Sequence, residues 1–521
     1  MSAPIAQTRH FVEIDGRVVH YRRWGQGPAI LALHGSPQAS RTLVPFAEEM
    51  AARGFCVIAP DTPGNGLSTP LSAPLPDSAA YAAALAGFAD ALGLGRIGLY
   101  GFHTGATIAC AFAALFPDRV SGVLFDGLPC WTAEERADCL AHYLPPLLPA
   151  WDGTHMCWVW SRMEEQVIFF PWHRALPSAR MDSDLSTPAH LHANAMDLLE
   201  AGDAYRNTYR AAFTFRPDHW LPQVTADHLI LVTRSDVLLD HLSRPGLAGV
   251  PARTVPDAAA LRLAAVDWLA ERPGDNAPAA PPATIRGFLD TTSGPLAWRG
   301  RLTGSGRPLV LLHRAGGHGG DFDAAIAQAG GPVIAFDLPG HGESTGHPMP
   351  DSLAGLATRL AEGIRAAGFN RPLVAGRGIG GLLALHLAAD GVADRAVTLG
   401  DDPLPDPAQA APSLAPEWDG AHLVRAFRIA RRERLFRPWH DGRQAHAIRP
   451  PADLEPADIQ RRALCLLKAG PHWTQAVALE AAADVMALRS RVGERHRHLA
   501  DAVLDGGGTV PGWLPGLLAL R

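Results

Sequence analysis

The chain has 521 residues, 47% hydrophobic and 19% charged, a globular composition in a chain long enough for two or three domains. A formal net charge of −6 gives no basic footprint and argues against nucleic acid as a partner. No apolar run nears the roughly 18–20 residues that cross a bilayer, no leader pattern opens the chain, and the six cysteines are irregularly spaced, so a cytoplasmic protein with reduced thiols and no membrane contact is expected.

From the N-terminus, apolar strands alternate with helical stretches. "RVVHYRRWG" (17–25) predicts an edge strand, "AILALHG" (29–35) a buried strand, and 42–53 a helix. "FCVIAPD" (55–61) is the next strand, and 78–92 an Ala-rich helix. "RIGLYG" (96–101) leads over a corner into a helix at 104–116, and the strand "VSGVLFDG" (120–127) follows. After a long insert at about 131–222 come "HLILVT" (228–233), a short strand near 252–256 and a helix at 257–271. This alternation predicts a parallel sheet covered by helices on both faces.

The chain is then written a second time. "ILALHGSP" (30–37) answers "LVLLHRAGG" (309–317), and "VIAPDTPGNGLST" (57–69) answers "VIAFDLPGHGEST" (333–345). "LYGFHTGATIACAFAALFPDRV" (99–120) answers "VAGRGIGGLLALHLAADGVADRAV" (374–397), and "FFPWHR" (169–174) answers "LFRPWHD" (435–441). An offset near 270 residues means two whole domains rather than a solenoid. The expected division is 1–272, a Pro/Ala-rich linker at 273–285, and 286–521.

In the first half, "LHGSP" (33–37), "APDTPGNGLS" (59–68) and "GFHTG" (101–105) stand in an order and at spacings that resemble the α/β-hydrolase superfamily, most closely its epoxide hydrolase and haloalkane dehalogenase branch. The resemblance covers nearly the whole chain, twice over. It implies an α/β fold of two tandem domains, each a mostly parallel sheet flanked by helices, with a helical cap at the insert. It also implies three catalytic side chains: a nucleophile at the strand–helix corner, an acid, and a histidine after the last strand.

The sequence departs from that pattern. The corner holds His103, Asp236 stands at the acid position, and residues 242–285 contain no histidine. In the second half the corner residue is Gly378, Arg491 falls where Asp236 would repeat, and Thr509 stands in place of the histidine. The second domain is therefore expected to be non-catalytic, a scaffold or a partner that stabilises, shields or dimerises the first.

Three readings of His103 compete. The site is dead and the ring fills space; His103 is itself the nucleophile; or it is a general base. Imidazole reaches about 2 Å further from its Cα than a serine hydroxyl, enough to span part of the space left by the missing histidine. His103 would donate one ring N–H to Asp236 and turn its other nitrogen to the pocket, as base on water or on substrate carbon. The amides of Ser36 and Thr104 would form the oxyanion hole. His34, Trp131, Trp172, Tyr205 and Tyr209 are expected at the pocket, although His34 repeats as His313 and so suits a backbone-organising role. Asp61 and Asp126 repeat as Asp337 and Asp401, which marks them as structural, with Asp126 a reserve acid. "HLH" (190–192) and "HRH" (496–498) lack a third ligand, so neither metal nor cofactor is expected. The predicted activity is hydrolysis, or cofactor-free lyase or isomerase chemistry, on a small apolar or aromatic carbonyl, lactone or epoxide compound. The rival is a non-catalytic binding or scaffold protein.

Overall fold

Alternate residues of β3 (Ala29–Leu33) belong to different cores. Ala29, Leu31 and Leu33 join a cluster with Phe88, Phe112 and Phe125, whereas Ile30 and Ala32 join one with Trp24, Phe46 and Trp268. A strand has a side-chain period of two, so one that is apolar at every position is buried on both faces.

The computed structural model describes residues 7–346, 348–400, 411–449, 454–500 and 512–520; Asp401 and Thr509 lie outside these. The chain divides into two units. One holds the chain up to Leu148 and Trp158–Ala283; the other holds Pro149–Cys157 and the chain from Thr284.

The sheet of the first unit runs, in spatial order, β1 (Thr8–Ile14), β2 (Arg17–Trp24), β4 (Cys56–Pro60), β3, β5 (Ile97–Phe102), β6 (Val120–Asp126), β7 (His228–Thr233) and β8 (Ala252–Val255). The strands from β3 to β8 are parallel, and β1 and β2 are antiparallel additions. Arg17–Trp24 is thus not the edge strand the sequence predicted. Its partner β1, "TRHFVEI", covers it along its length and takes the edge. Helices α1 (Val44–Ala52), α2 (Ser78–Ala91) and α3 (Thr104–Leu115) lie against the sheet, α2 and α3 on one face and α1 on the other. The cap contributes α4 (Ala133–Asp138), α5 (Thr154–Ile168), α6 (Pro188–Ala201), α7 (Tyr205–Thr214) and α8 (Pro217–Trp220), before α9 (Ala258–Ala270) returns to the α1 face. Asp77 and Asp257 cap α2 and α9 by accepting from Ala80 N and Ala260 N.

The start of the expected linker is bound to the first unit. Asp275 N donates to Arg96 O (2.6 Å), Asp275 O accepts from Ala29 N (2.9 Å), and Ala277 N donates to Gly27 O (2.9 Å).

The second sheet runs β9 (Arg286–Leu289), β10 (Leu296–Arg301), β12 (Val333–Phe336), β11 (Leu309–Leu312), β13 (Leu373–Arg377), β14 (Arg395–Leu399) and β15 (His496–Leu499), the same order as the first seven. Leu399 pairs with Leu499 as Leu124 pairs with Leu229, so β15 takes the place of β7. This corrects the expectation for Arg491. It lies in the helix Val485–Val492, before β15, and pairs with Asp390; the counterpart of Asp236 must follow the strand. The "HRH" residues form β15 itself, with both histidine rings bonded to Thr398 Oγ1 (3.0 Å each). Among the described residues, no helix is long and apolar enough to cross a membrane.

Candidate active site

β5 ends at Phe102 and α3 begins at Thr104, leaving one residue to turn the chain. That residue, His103, has φ +47° and ψ −103°, a backbone region that disfavours any side chain. Its N–H donates to Asp126 O (2.9 Å), and its carbonyl accepts from Ala106 N (2.9 Å), which ties the corner to β6 and the first turn of α3. The turn is tight enough that a Cβ on Gly105 would come within 2.3 Å of Leu33 O.

The imidazole stacks on Phe102 (centroids 4.1 Å apart) and its Nε2 lies 3.1 Å from Asp236 Oδ2. Gly127 gives the ring its room, since a Cβ there would lie 2.6 Å from His103 Cδ2. Asp236 is held by Leu238 N, which donates to Oδ1 (2.8 Å). Burial disfavours the imidazolium, but the charge and hydrogen bond of Asp236, with the more distant charge of Asp126, outweigh it and hold His103 above its ordinary 6.5. Reciprocally, burial of Asp236 is outweighed by His103 and Leu238 N, and its pKa is lowered. With Nε2–H donated to Asp236, Nδ1 is the basic nitrogen.

His103 lines a cavity of about 230 Å³ together with Ser36 and Thr104. Thr104 is the first residue of α3, so its N–H has no acceptor in its own helix. The cap side carries Trp131, Tyr143, Gln166, Phe170, Tyr209 and Phe213. The structure therefore brings together His103, Asp236, Ser36, Thr104, Trp131 and Tyr209.

Three expected pocket residues lie elsewhere. His34 is 1% exposed, donates from Nδ1 to Gly35 O (2.9 Å) and accepts at Nε2 from Thr62 N (2.9 Å), so both ring nitrogens serve the backbone. His313 does the same between Arg314 O and Leu338 N. Tyr205 donates its hydroxyl to Pro145 O (2.5 Å). Trp172 donates Nε1 to Tyr143 O (3.2 Å) and lies under the Arg162 guanidinium, behind the wall.

Asp61 accepts from Ser40 N and Leu67 N, as Asp337 accepts from Gly319 N and Glu343 N, a shared turn-stabilising role. Asp126 accepts from the Tyr100 hydroxyl, and burial, against the opposing Tyr100 bond, pushes its carboxyl up to about 7. Tyr143, Gln166 and Gly127 were not singled out from the sequence as site residues. Their signals were a phenol in the cap, a polar residue four positions beyond a buried arginine on one helix, and a glycine closing β6.

Among the described residues, one group has metal-ligand spacing: Asp138, His142 and His173 in the cap, with ligand atoms within 4.8 Å of one another. The Asp138 carboxylate there already bonds both histidines and pairs with Arg174 (3.0 Å).

In the second unit Gly378 repeats the corner at φ +52° and ψ −127°. Glu433 accepts from Arg314 Nη2 (2.8 Å) and from Arg462 Nε (2.7 Å) and Nη2 (2.9 Å), and a Cβ on Gly378 would come within 3.0 Å of Glu480 Oε1. Burial of Glu433 is outweighed by its two arginines, which hold it down at about 2.

A parallel sheet with a single-residue strand–helix corner under a helical cap defines a protein of α/β-hydrolase type. Residues 28–145 match the family model described as alpha/beta hydrolase fold, and 309–517 the one described as alpha/beta hydrolase family; the chain belongs to the α/β-hydrolase superfamily. It is 34% identical over 127 residues to an epoxide hydrolase of Caballeronia sordidicola, covering 24% of this chain and 39% of that protein. It is 36% identical over 113 residues to a 2-hydroxy-6-oxononadienedioate/2-hydroxy-6-oxononatrienedioate hydrolase of Burkholderia vietnamiensis (21% and 39%). It is 35% identical over 131 residues to haloalkane dehalogenase 2 of Mycobacterium tuberculosis (25% and 45%). The chain thus spans less than half the length of these relatives. Among solved structures, epoxide hydrolase A from Mycobacterium thermoresistibile aligns with 19% identity and a TM-score of 0.42, covering 51% of this chain and 98% of that one.

Proposed function

We propose that the first unit is an enzyme of hydrolase fold in which His103 is a general base, Asp236 orients it, and the backbone N–H groups of Ser36 and Thr104 stabilise an oxyanion. The observation that carries this reading is the His103–Asp236 pair at 3.1 Å, with His103 on the wall of an aromatic cavity. The base takes a proton from water, or from a carbon next to a carbonyl, and the imidazolium so formed is matched by Asp236. The corner is kept because its amides serve the oxyanion, while its side chain is a base rather than a nucleophile. The cavity's rings favour a small apolar or aromatic substrate with one polarisable oxygen. The names of the relatives, hydrolases of an epoxide and of a dienedioate, support hydrolysis first. The second unit is proposed to be non-catalytic, because Gly378 offers no side chain at the corner.

The test is a panel of aryl esters, lactones, epoxides and enolisable ketones in oxygen-18 water and, separately, in heavy water. A base acting on water places oxygen-18 in the product on the first turnover, and one acting on carbon exchanges hydrogen. An acyl or alkyl adduct on the peptide containing His103 would replace the base with a nucleophile. No turnover of any class by folded protein would favour the rival binding function.

A further inference from the structure

Arg162 is 2% exposed, yet among the described residues no carboxylate pairs with it. The nearby cap ion pairs join Asp138 to His173 and Arg174 and Asp203 to Arg206, and leave it out. Its partners are neutral. Nη1 donates to Gln166 Oε1 (2.6 Å), and the guanidinium sits 4.2 Å from the Trp172 ring centroid and 5.0 Å from that of Tyr143. The rings of Tyr143 and Tyr209 pack against each other (centroids 5.3 Å apart), and the charge of Arg162 acts on both phenols. A buried cation with neutral partners alone is costly unless a negative charge comes to it.

The charge has a route. Tyr143, Gln166 and Tyr209 all line the His103 cavity, with Arg162 behind them. Gln166 accepts from Arg162 through its oxygen, so its amide N–H groups remain as donors. A guanidinium only donates, so it cannot take up the phenolic protons of Tyr143 and Tyr209, and these too are available to an acceptor in the cavity. The wall therefore offers donors in front of a buried cation, which also holds the acceptor side of Gln166, and this arrangement suits an anion.

The duplicate shows that packing alone does not require this arginine. The helix Ala421–Arg432 begins as α5 does: Ala150 N donates to His155 Nδ1 (3.0 Å) and Glu417 N to His422 Nδ1 (3.2 Å). After the helices, Phe169 bridges Arg180 and Phe436 bridges Ala447 at the same offset. Arg162 then corresponds to Ile429, which is 3% exposed, and Gln166 to Glu433, which carries its own negative charge. The unit with a histidine at its corner has a cation and a neutral amide where its duplicate has an apolar residue and a carboxylate.

We infer that the His103 cavity takes a substrate bearing a carboxylate, seated against Tyr143, Gln166 and Tyr209 with Arg162 as its counter-charge. This rests on the reading of that cavity as the substrate site, but not on His103 being a base.

The test is calorimetric binding to the full chain of phenylacetate, 3-phenylpropionate and 4-phenylbutyrate, each against its primary amide. Wild type is expected to bind the best carboxylate about tenfold or more tighter than its amide. Arg162→Ile and Gln166→Glu, each copying the duplicate, are expected to bring that ratio to about one or below; if Arg162→Ile fails to fold, Gln166→Glu decides. Equal binding of acid and amide by wild type, no carboxylate bound at millimolar concentration, or a preference that survives in the folded variants overturns the inference. His103→Ala separates the two readings: it keeps the carboxylate preference whether or not it loses turnover.

Discussion

Replacing His103 by glycine and by alanine separates what the ring does from what the corner costs. At φ +47° and ψ −103° a side chain is held in a region essentially reserved for glycine, and the duplicate has glycine there at φ +52°. Holding a side chain in such a region costs about 1–3 kcal/mol, while glycine's larger freedom in the unfolded chain offsets about 0.5–1 kcal/mol. Both variants lose the stack on Phe102 and the bond to Asp236, so these terms cancel between them. His103→Gly should therefore be more stable than His103→Ala by roughly 0.5–2 kcal/mol, with turnover reduced in both. The assay is hydrogen exchange along a denaturant series, read on peptides spanning β5 and the start of α3, which follows this unit rather than the whole chain. Alanine as stable as glycine, or more so, would show that the corner stores no strain and remove the physical reason for Gly378.

Further outcomes follow from the geometry of the two units. Asp236→Asn removes the charge that outweighs burial at His103, so the imidazole pKa falls and the acid limb of turnover moves to lower pH, read by NMR titration of the ring. In wild type the raised pKa gives stability that is complete below the ordinary 6.5 and lost as pH rises through the folded value, and Asp236→Asn should flatten that dependence. Glu433→Ala leaves Arg314 and Arg462 facing each other and should destabilise the second unit by about 3 kcal/mol or more, seen as earlier exchange in its peptides. Tyr205→Phe loses only the bond to Pro145 O, costing about 1 kcal/mol with turnover kept, whereas Tyr143→Phe should lower kcat/KM.

Much of the layered architecture was legible because strands buried on both faces are apolar throughout, as in "AILAL", and because the duplication fixed the domain count. Thr8–Ile14 escaped because an edge strand with one wet face carries polar residues and lacks that signature. The His103–Asp236 pair was legible because the corner and the strand end before Asp236 have fixed places in the fold. The cap was harder, since which of its rings face the cavity depends on packing among α5, α7 and the chain between them. Tyr205, expected at the pocket, is thus spent on a carbonyl, and Tyr143, which carried no expectation, stands on the wall. Arg491 was misplaced because sequence offsets drift, whereas strand pairing does not. Arg162 and Gln166 stand four apart on one helix, and carrying the 267-residue offset of "PWH" back to them would have exposed their replacement by Ile429 and Glu433.

The most direct test of the central claim is kcat/KM of wild type and His103→Ala on the best substrate of the panel, with folding of both checked by exchange. A general base predicts a loss of about 100-fold to 10,000-fold in the variant. Turnover in His103→Ala equal to that of wild type would take His103 out of the chemistry and contradict the account.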